Sequence, residues 1–132
     1  MIKTTEYKKI PATIMHQITG EIDVEEIKHG LNNANKVINK VINKYGIFNL
    51  IIDLRGISFT ILAVHKIWKT WLQNRLFKEK INCIAFIVDD SPHTRAEKEL
   101  MDTENIKFFF DFDEGSKWLN DRYSINACKG TQ

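Results

Sequence analysis

The sequence predicts an α/β domain in which strands and helices alternate, and three observations carry that prediction. Residues 48–54 form an almost unbroken apolar run, interrupted only by Asn49 and Asp53. A run of that length without alternation suits a strand covered on both faces, as in a parallel sheet. The run then turns through Arg55 and Gly56 and re-enters an apolar helical pattern after Ser58 and Thr60, which is strand, tight turn and helix in succession. A second continuous apolar run follows at 81–88. The expected architecture is a four- or five-stranded mixed sheet, parallel apart from an antiparallel N-terminal strand and covered by about four helices.

In chain order, residues 2–10 can form a short edge strand that Pro11 limits. From Ala12 to Thr19 the set Ile14, His16, Ile18 alternates with Thr13, Met15, Gln17, which reads as a strand with one wet face ending at Gly20. Asp23 is placed to cap a helix with Glu25 and Glu26 in its first turn, where the helix dipole favours acids. Val24, Ile27, Leu31, Ala34, Ile38, Val41 and Tyr45 then recur at spacings of three and four, and Gly46 stops the helix. A second helix is expected over 60–78. After the strand at 81–88, Ser91 as cap and Pro92 at the first helical position start a third helix that runs to about Met101. Residues 106–112 read as an aromatic last strand, and Asp113 as the cap of a short helix holding Trp118 and Leu119. Residues 1–120 are therefore expected to form one domain and residues 121–132 a loose polar tail.

Bulk properties narrow the function. A chain of 132 residues with 43% hydrophobic and 27% charged residues can bury a core without metal or disulfide staples. A net charge of +2 with interleaved signs leaves no strong electrostatic footprint for nucleic acid, and no nucleic-acid partner is expected. Cys83 and Cys128 are far apart and without metal spacing, which fits reduced thiols in a cytoplasmic protein. No stretch approaches the roughly 18 apolar residues of a spanning helix, and the N-terminus has no signal-peptide core.

The stretch from Asp53 to Thr60 and the order of elements around it carry a family resemblance. Leu-Ile-Ile-Asp-Leu-Arg at a strand end, a Trp-containing second helix, Ile-Ala-Phe-Ile-Val as third strand and a closing Phe-Phe-Asp strand before a Trp-Leu helix resemble the SpoIIAA-like branch of the STAS superfamily, the domain of anti-sigma-factor antagonists. The resemblance covers about residues 12–120. It implies a single non-catalytic binding domain, with a small apolar ligand or a partner held through the second helix. Phosphorylatable antagonists of the superfamily carry an Asp-Ser-Ser-Gly segment at the start of that helix. Aligned through Phe59, the segment here is Ile61, Leu62, Ala63 and Val64, and the phosphoacceptor is gone. Ser58 and Thr60 remain nearby as turn and cap residues. The alternative function is accordingly a regulatory protein-interaction module of the antagonist type, switched by phosphorylation at Ser58 or Thr60.

The second helix holds the candidate site. At 100° per residue, Ile61, Val64, Ile67, Trp68, Trp71, Leu72 and Leu76 occupy roughly half the circumference, wider than the roughly 100° stripe a helix on one sheet needs, and His65 falls within the arc. Either neighbouring helices or a two-fold dimer partner cover the surplus, or Trp68, Trp71 and His65 edge an apolar groove. An enzyme is not expected. Asp53, Asp89, Asp90, Asp111 and Asp113 lie at carboxyl ends of strands, and Asp53 resembles the phosphoacceptor of a receiver domain. That family also needs an acidic pair after its first strand to hold magnesium, where this chain has Thr19-Gly20-Glu21. Asp53 instead reads as a turn residue paired with Arg55. His16, His29, His65 and His93 sit on four different elements without metal spacing and read as partly exposed polar residues. Gly56 stands alone where a phosphate loop needs several glycines. No metal or cofactor is expected.

Overall fold

A computed structural model describes residues 1–58, 61–78 and 81–130, and the side chains of all of these except 58, 76–78 and 125–130. The chain is α/β. In order it forms β1 (Ile2–Glu6), β2 (Thr13–Ile18), β3 (Gly20–Glu21), α1 (Val24–Tyr45), β4 (Phe48–Asp53), β5 (Ile57–Ser58), α2 (Leu62–Lys78), β6 (Ile81–Ile87), α3 (Pro92–Met101), β7 (Ile106–Phe109) and α4 (Phe112–Gly130). Five strands make one mixed sheet in the order β1-β2-β4-β6-β7, antiparallel between β1 and β2 and parallel elsewhere. β3 and β5 pair in a separate two-stranded sheet.

Burial explains the apolar runs. Every residue of β4 is buried, because one face of the sheet carries α1 and α2 and the other carries α4. Ile14, Leu50, Ile52, Ile84 and Phe86 point to the first face; Ile51, Ala85 and Ile87 point to the second. Register aligns His16, Ile52, Phe86 and Phe108 in one row across four strands. Phe86 and Phe108 stack at 4.7 Å, a cross-strand pair of the kind that stabilises a sheet beyond its area burial. Each fully buried Ile or Leu contributes about 1.5–3 kcal/mol.

α1 keeps its expected limits for the expected reasons. The Asp23 carboxylate accepts from the Glu26 N–H at 2.8 Å, and Gly46, at φ +78°, donates its N–H to the Ile42 carbonyl at 2.7 Å. α3 likewise starts on the reciprocal Ser91–Thr94 capping box with Pro92 in its first turn.

Three expectations need correction. β7 ends at Phe109, short of residue 112, because Asp111 and not Asp113 caps the last helix: its carboxylate accepts from the Glu114 N–H at 3.1 Å. The polar stretch 121–130 is the second half of α4 and not a loose tail. There Tyr123 continues the inward stripe of Leu119 at i+4, and Arg122 pairs with Glu104 at 2.7 Å. β2 has no wet face. Thr13 is fully buried and Met15 packs with Ile51 and Tyr7 beneath the α4 layer.

Candidate functional site

α2 presses Val64, Trp68 and Leu72, spaced by four, onto the sheet and holds Ile67 and Trp71 half-buried beside α1. The sheet and α1 therefore cover Val64, Ile67, Trp68, Trp71 and Leu72 of the wide apolar arc, and the side chain of Leu76 lies outside the described residues. Ile61 (41% exposed) and Leu62 (72%) at the helix start stay in solvent.

The two tryptophans meet one residue that the sequence reading placed at the surface. His16 of β2 is fully buried, correcting the expectation of a partly exposed side chain. The Trp68 indole N–H donates to His16 Nε2 at 3.1 Å, and Thr4 Oγ1 lies 2.8 Å from His16 Nδ1. An indole nitrogen can only donate, so Nε2 is unprotonated and the ring proton sits on Nδ1, donated to Thr4. Burial lowers the His16 pKa to about 4. The ring is thus a neutral spacer at neutral pH and takes no part in proton transfer at the surface. Trp71 lies against the same ring, 5.2 Å away and tilted by 31°.

Beyond Trp71 a groove of about 650 Å³ opens between α1 and α2. Leu31, Ile67 and Trp71 form its apolar part, and Asn32, Asn35, Thr70, Asn74, Lys28 and Lys66 its polar part. A smaller hollow of about 280 Å³ continues it past Asn35, Asn74 and Arg75. Asn35 organises this end. Its Oδ1 accepts from Trp71 Nε1 at 2.8 Å and from Arg75 Nε and Nη2 at 3.1 and 2.5 Å. The polar tip of Trp71 is satisfied within the protein, which leaves its apolar body to the groove.

The expected site residues separate accordingly. Trp71 lines the groove, whereas Trp68 (6% exposed) belongs to the core behind it and is not a groove edge. His65 is half-buried on α2 and is not part of the groove lining. Thr60 and the side chain of Ser58 lie outside the described residues. His16, Asn35 and Arg75 were missed. The signal for His16 was present, since it shares the alternating face of Ile14 and Ile18; nothing local singles out Asn35 among the five asparagines of its helix.

At the carboxyl ends of the strands the acids are engaged in structure. Asp53, 3% exposed, accepts from Arg55 at its backbone N–H (3.2 Å), Nε (3.0 Å) and Nη2 (2.9 Å), and from Gln17 at 3.4 Å. Burial pushes its pKa up, but the hydrogen bonds and charge of Arg55 outweigh that and hold it below the ordinary value. Asp89 accepts from the Gly56 N–H at 2.8 Å, tying the end of β6 to the turn after β4. Among the described residues no group of three or more His, Cys, Asp or Glu is arranged to hold a metal ion, and no helix is long and apolar enough to cross a membrane. Comparison of the chain with protein-family models, with curated proteins and with solved structures finds no match.

Proposed function

We propose that the chain is a non-catalytic, cytoplasmic binding domain of the STAS kind whose ligand site is the groove between α1 and α2. The carrying observation is Trp71: a half-buried indole whose N–H is already bonded to Asn35, set in a groove wall between amide side chains. Such a wall suits a small molecule with a flat apolar body and a polar edge. The STAS assignment is supported by the order of elements, with an antiparallel first strand followed by parallel strands and intervening helices. Anilinonaphthalene sulfonate, a planar aromatic anion, is a suitable probe. Its fluorescence should rise on binding and lose that rise in Trp71→Ala, while Leu62→Ser leaves it unchanged. Unaltered dye binding by a folded Trp71→Ala variant sinks the groove as the site.

A second reading has one observation of its own. Ile61 and Leu62 expose apolar surface at the start of α2, next to Ser58 and Thr60 in sequence. A regulatory protein docking there, controlled by phosphorylation at either hydroxyl, is the antagonist-type alternative. An intact mass one phosphate above the sequence mass, removed by phosphatase, supports it; an unmodified protein from its own host argues against the switch.

A further inference from the structure

Basic residues that are dispersed in the sequence come together in the fold. α1 beyond Glu26 carries Lys28, Lys36, Lys40 and Lys44, and α2 carries Lys66, Lys69, Arg75 and Lys78; none of the chain's 17 acidic residues lies in either segment. The two helices pack side by side, so these charges share one layer of the molecule. Lys28, Lys36, Lys40, Lys44, Lys66 and Lys69 are all exposed, and among the described residues none of the six forms an ion pair. Elsewhere Arg55, Arg95, Lys98 and Arg122 each pair with a carboxylate, while Lys3, Lys8, Lys9 and Lys117 are exposed and among the described residues form no ion pair. What sets α2 and α1 beyond Glu26 apart is the absence of acidic residues beside their lysines.

Helix chemistry makes this arrangement costly. Lys36, Lys40 and Lys44 follow one another at i+4, where like charges destabilise a helix and a glutamate would stabilise it. The cations also do not converge on one point, as a small anion would require. They run along α1 from the Trp71 groove to a second depression of about 420 Å³, which Lys8, Lys40, Lys44 and Tyr45 line together with Glu6. An elongated row of ammonium groups outside any ion pair among the described residues, with Lys44 over the Tyr45 ring at 5.1 Å, beside a half-buried indole is complementary to a flexible chain of phosphates carrying flat bases.

Resting on the groove as binding site, we infer that the α1–α2 face binds single-stranded nucleic acid. Phosphates lie along the lysines of α1 and one base enters the groove against Trp71. Asn32 and Asn74 offer amide donors and acceptors to the base edge. A duplex keeps its bases stacked inside and offers none of them to the Trp71 ring.

The test is an anisotropy titration with a fluorescein-labelled oligouridylate of about 12 nucleotides, between about 50 and 200 mM KCl. Binding should weaken with salt, with a log–log slope of about −3 for four to five phosphate contacts. The double variant Lys36→Gln/Lys40→Gln, altered only at exposed positions, should flatten that slope by about 1.4 and weaken binding about tenfold at 100 mM salt. Lys117→Gln on α4 should change nothing. Trp71→Ala should weaken binding about tenfold or more with the slope intact, and Trp71→Phe should restore most of it. Circular dichroism melts establish that each variant is folded. Absence of oligouridylate binding at low salt overturns the inference, as does binding indifferent to the α1 lysines. Lysine-dependent binding to phosphatidylserine vesicles without oligonucleotide binding also overturns it and assigns the face to a membrane surface. Dye binding at Trp71 that persists while the oligonucleotide fails removes only this inference; loss of both removes the groove as well.

Discussion

α2 and α3 are both crossover helices of one sheet, and they are held by opposite means. α2 sinks Val64, Trp68 and Leu72 into the core, and Trp68 bonds a buried histidine. α3 buries no residue at all, and Leu100 is 85% exposed. Its attachment is polar. The Phe108 N–H donates to Asp102 Oδ1 at 2.8 Å, and Lys98 Nζ donates to the Phe108 carbonyl at 2.6 Å and to Asp102 at 2.7 Å. Phe108 belongs to the edge strand β7, so the Lys98–Asp102 pair satisfies backbone groups that would otherwise template another chain. The cations follow the same division. Where burial holds the helix, Lys66 and Lys69 form no ion pair among the described residues; where burial is absent, Arg95 pairs with Asp90 and Lys98 with Asp102, and His93 Nε2 lies 3.1 Å from Glu97. Ion pairs here do the positioning that packing does elsewhere, and a helix fixed by packing is free to offer its charges outward.

The largest effect that would break this contrast is at Trp68. Trp68→Ala leaves a core void and an unpaired His16 Nε2, and should cost about 3–5 kcal/mol in a urea melt. Leu100→Ser on α3 should stay within about 0.5 kcal/mol. A comparable loss at both positions would mean that α3 is packed after all.

Next in size is a pH effect confined to the α2 side. Unfolded His16 takes up a proton below about pH 6.5, whereas the folded ring resists protonation down to about pH 4. The unfolded state therefore binds the extra proton between these values. The stability contributed by the neutral buried ring is fully present above about pH 6.5 and is lost as the pH falls toward 4. The whole span is worth about 3 kcal/mol. His16→Gln should flatten the dependence of chemical stability on pH over that window; an unchanged slope refutes the buried neutral ring.

Smaller still is the polar anchor of α3. Asp102→Ala deprives the Phe108 N–H of its acceptor and Lys98 of its partner, at about 1–2 kcal/mol, and should speed amide exchange at Phe108 with little change at Ile52. Smallest, and of opposite sign, is a change on α1. Lys40→Glu converts two i,i+4 repulsions into attractions with Lys36 and Lys44 and should raise stability by about 0.5–1 kcal/mol at low salt, less at high salt. A destabilised Lys40→Glu variant would mean that Lys40 has a structural partner.

Much of the backbone was legible locally. Asp23 and Gly46 bound a 22-residue helix because a cap and a left-handed glycine act on their own neighbours, and the runs through Phe48 and Ile81 read as central strands because two covered faces demand continuous apolarity. The end of the chain was not, since one inward residue such as Tyr123 suffices to join a polar helical stretch to the core, and composition hides it. The candidate site was legible in part. The wide arc pointed to Trp71, but it could not separate Trp68, which belongs to the core, from Trp71, which borders the groove. That separation depends on how close α1 approaches, and α1 approaches β1 where Gly30 lies against Ile2 with no room for a Cβ.

Element type and the faces of each strand follow from the order of residues, because capping, period and burial on two sides are short-range or periodic conditions. The seating of His16 between two tryptophans and the three donors gathered on Asn35 join residues 36 to 55 positions apart, and the pooled lysines come from two separate helices. Only packing α1 and α2 side by side on the same sheet brings them together, and their chemistry arises from that packing.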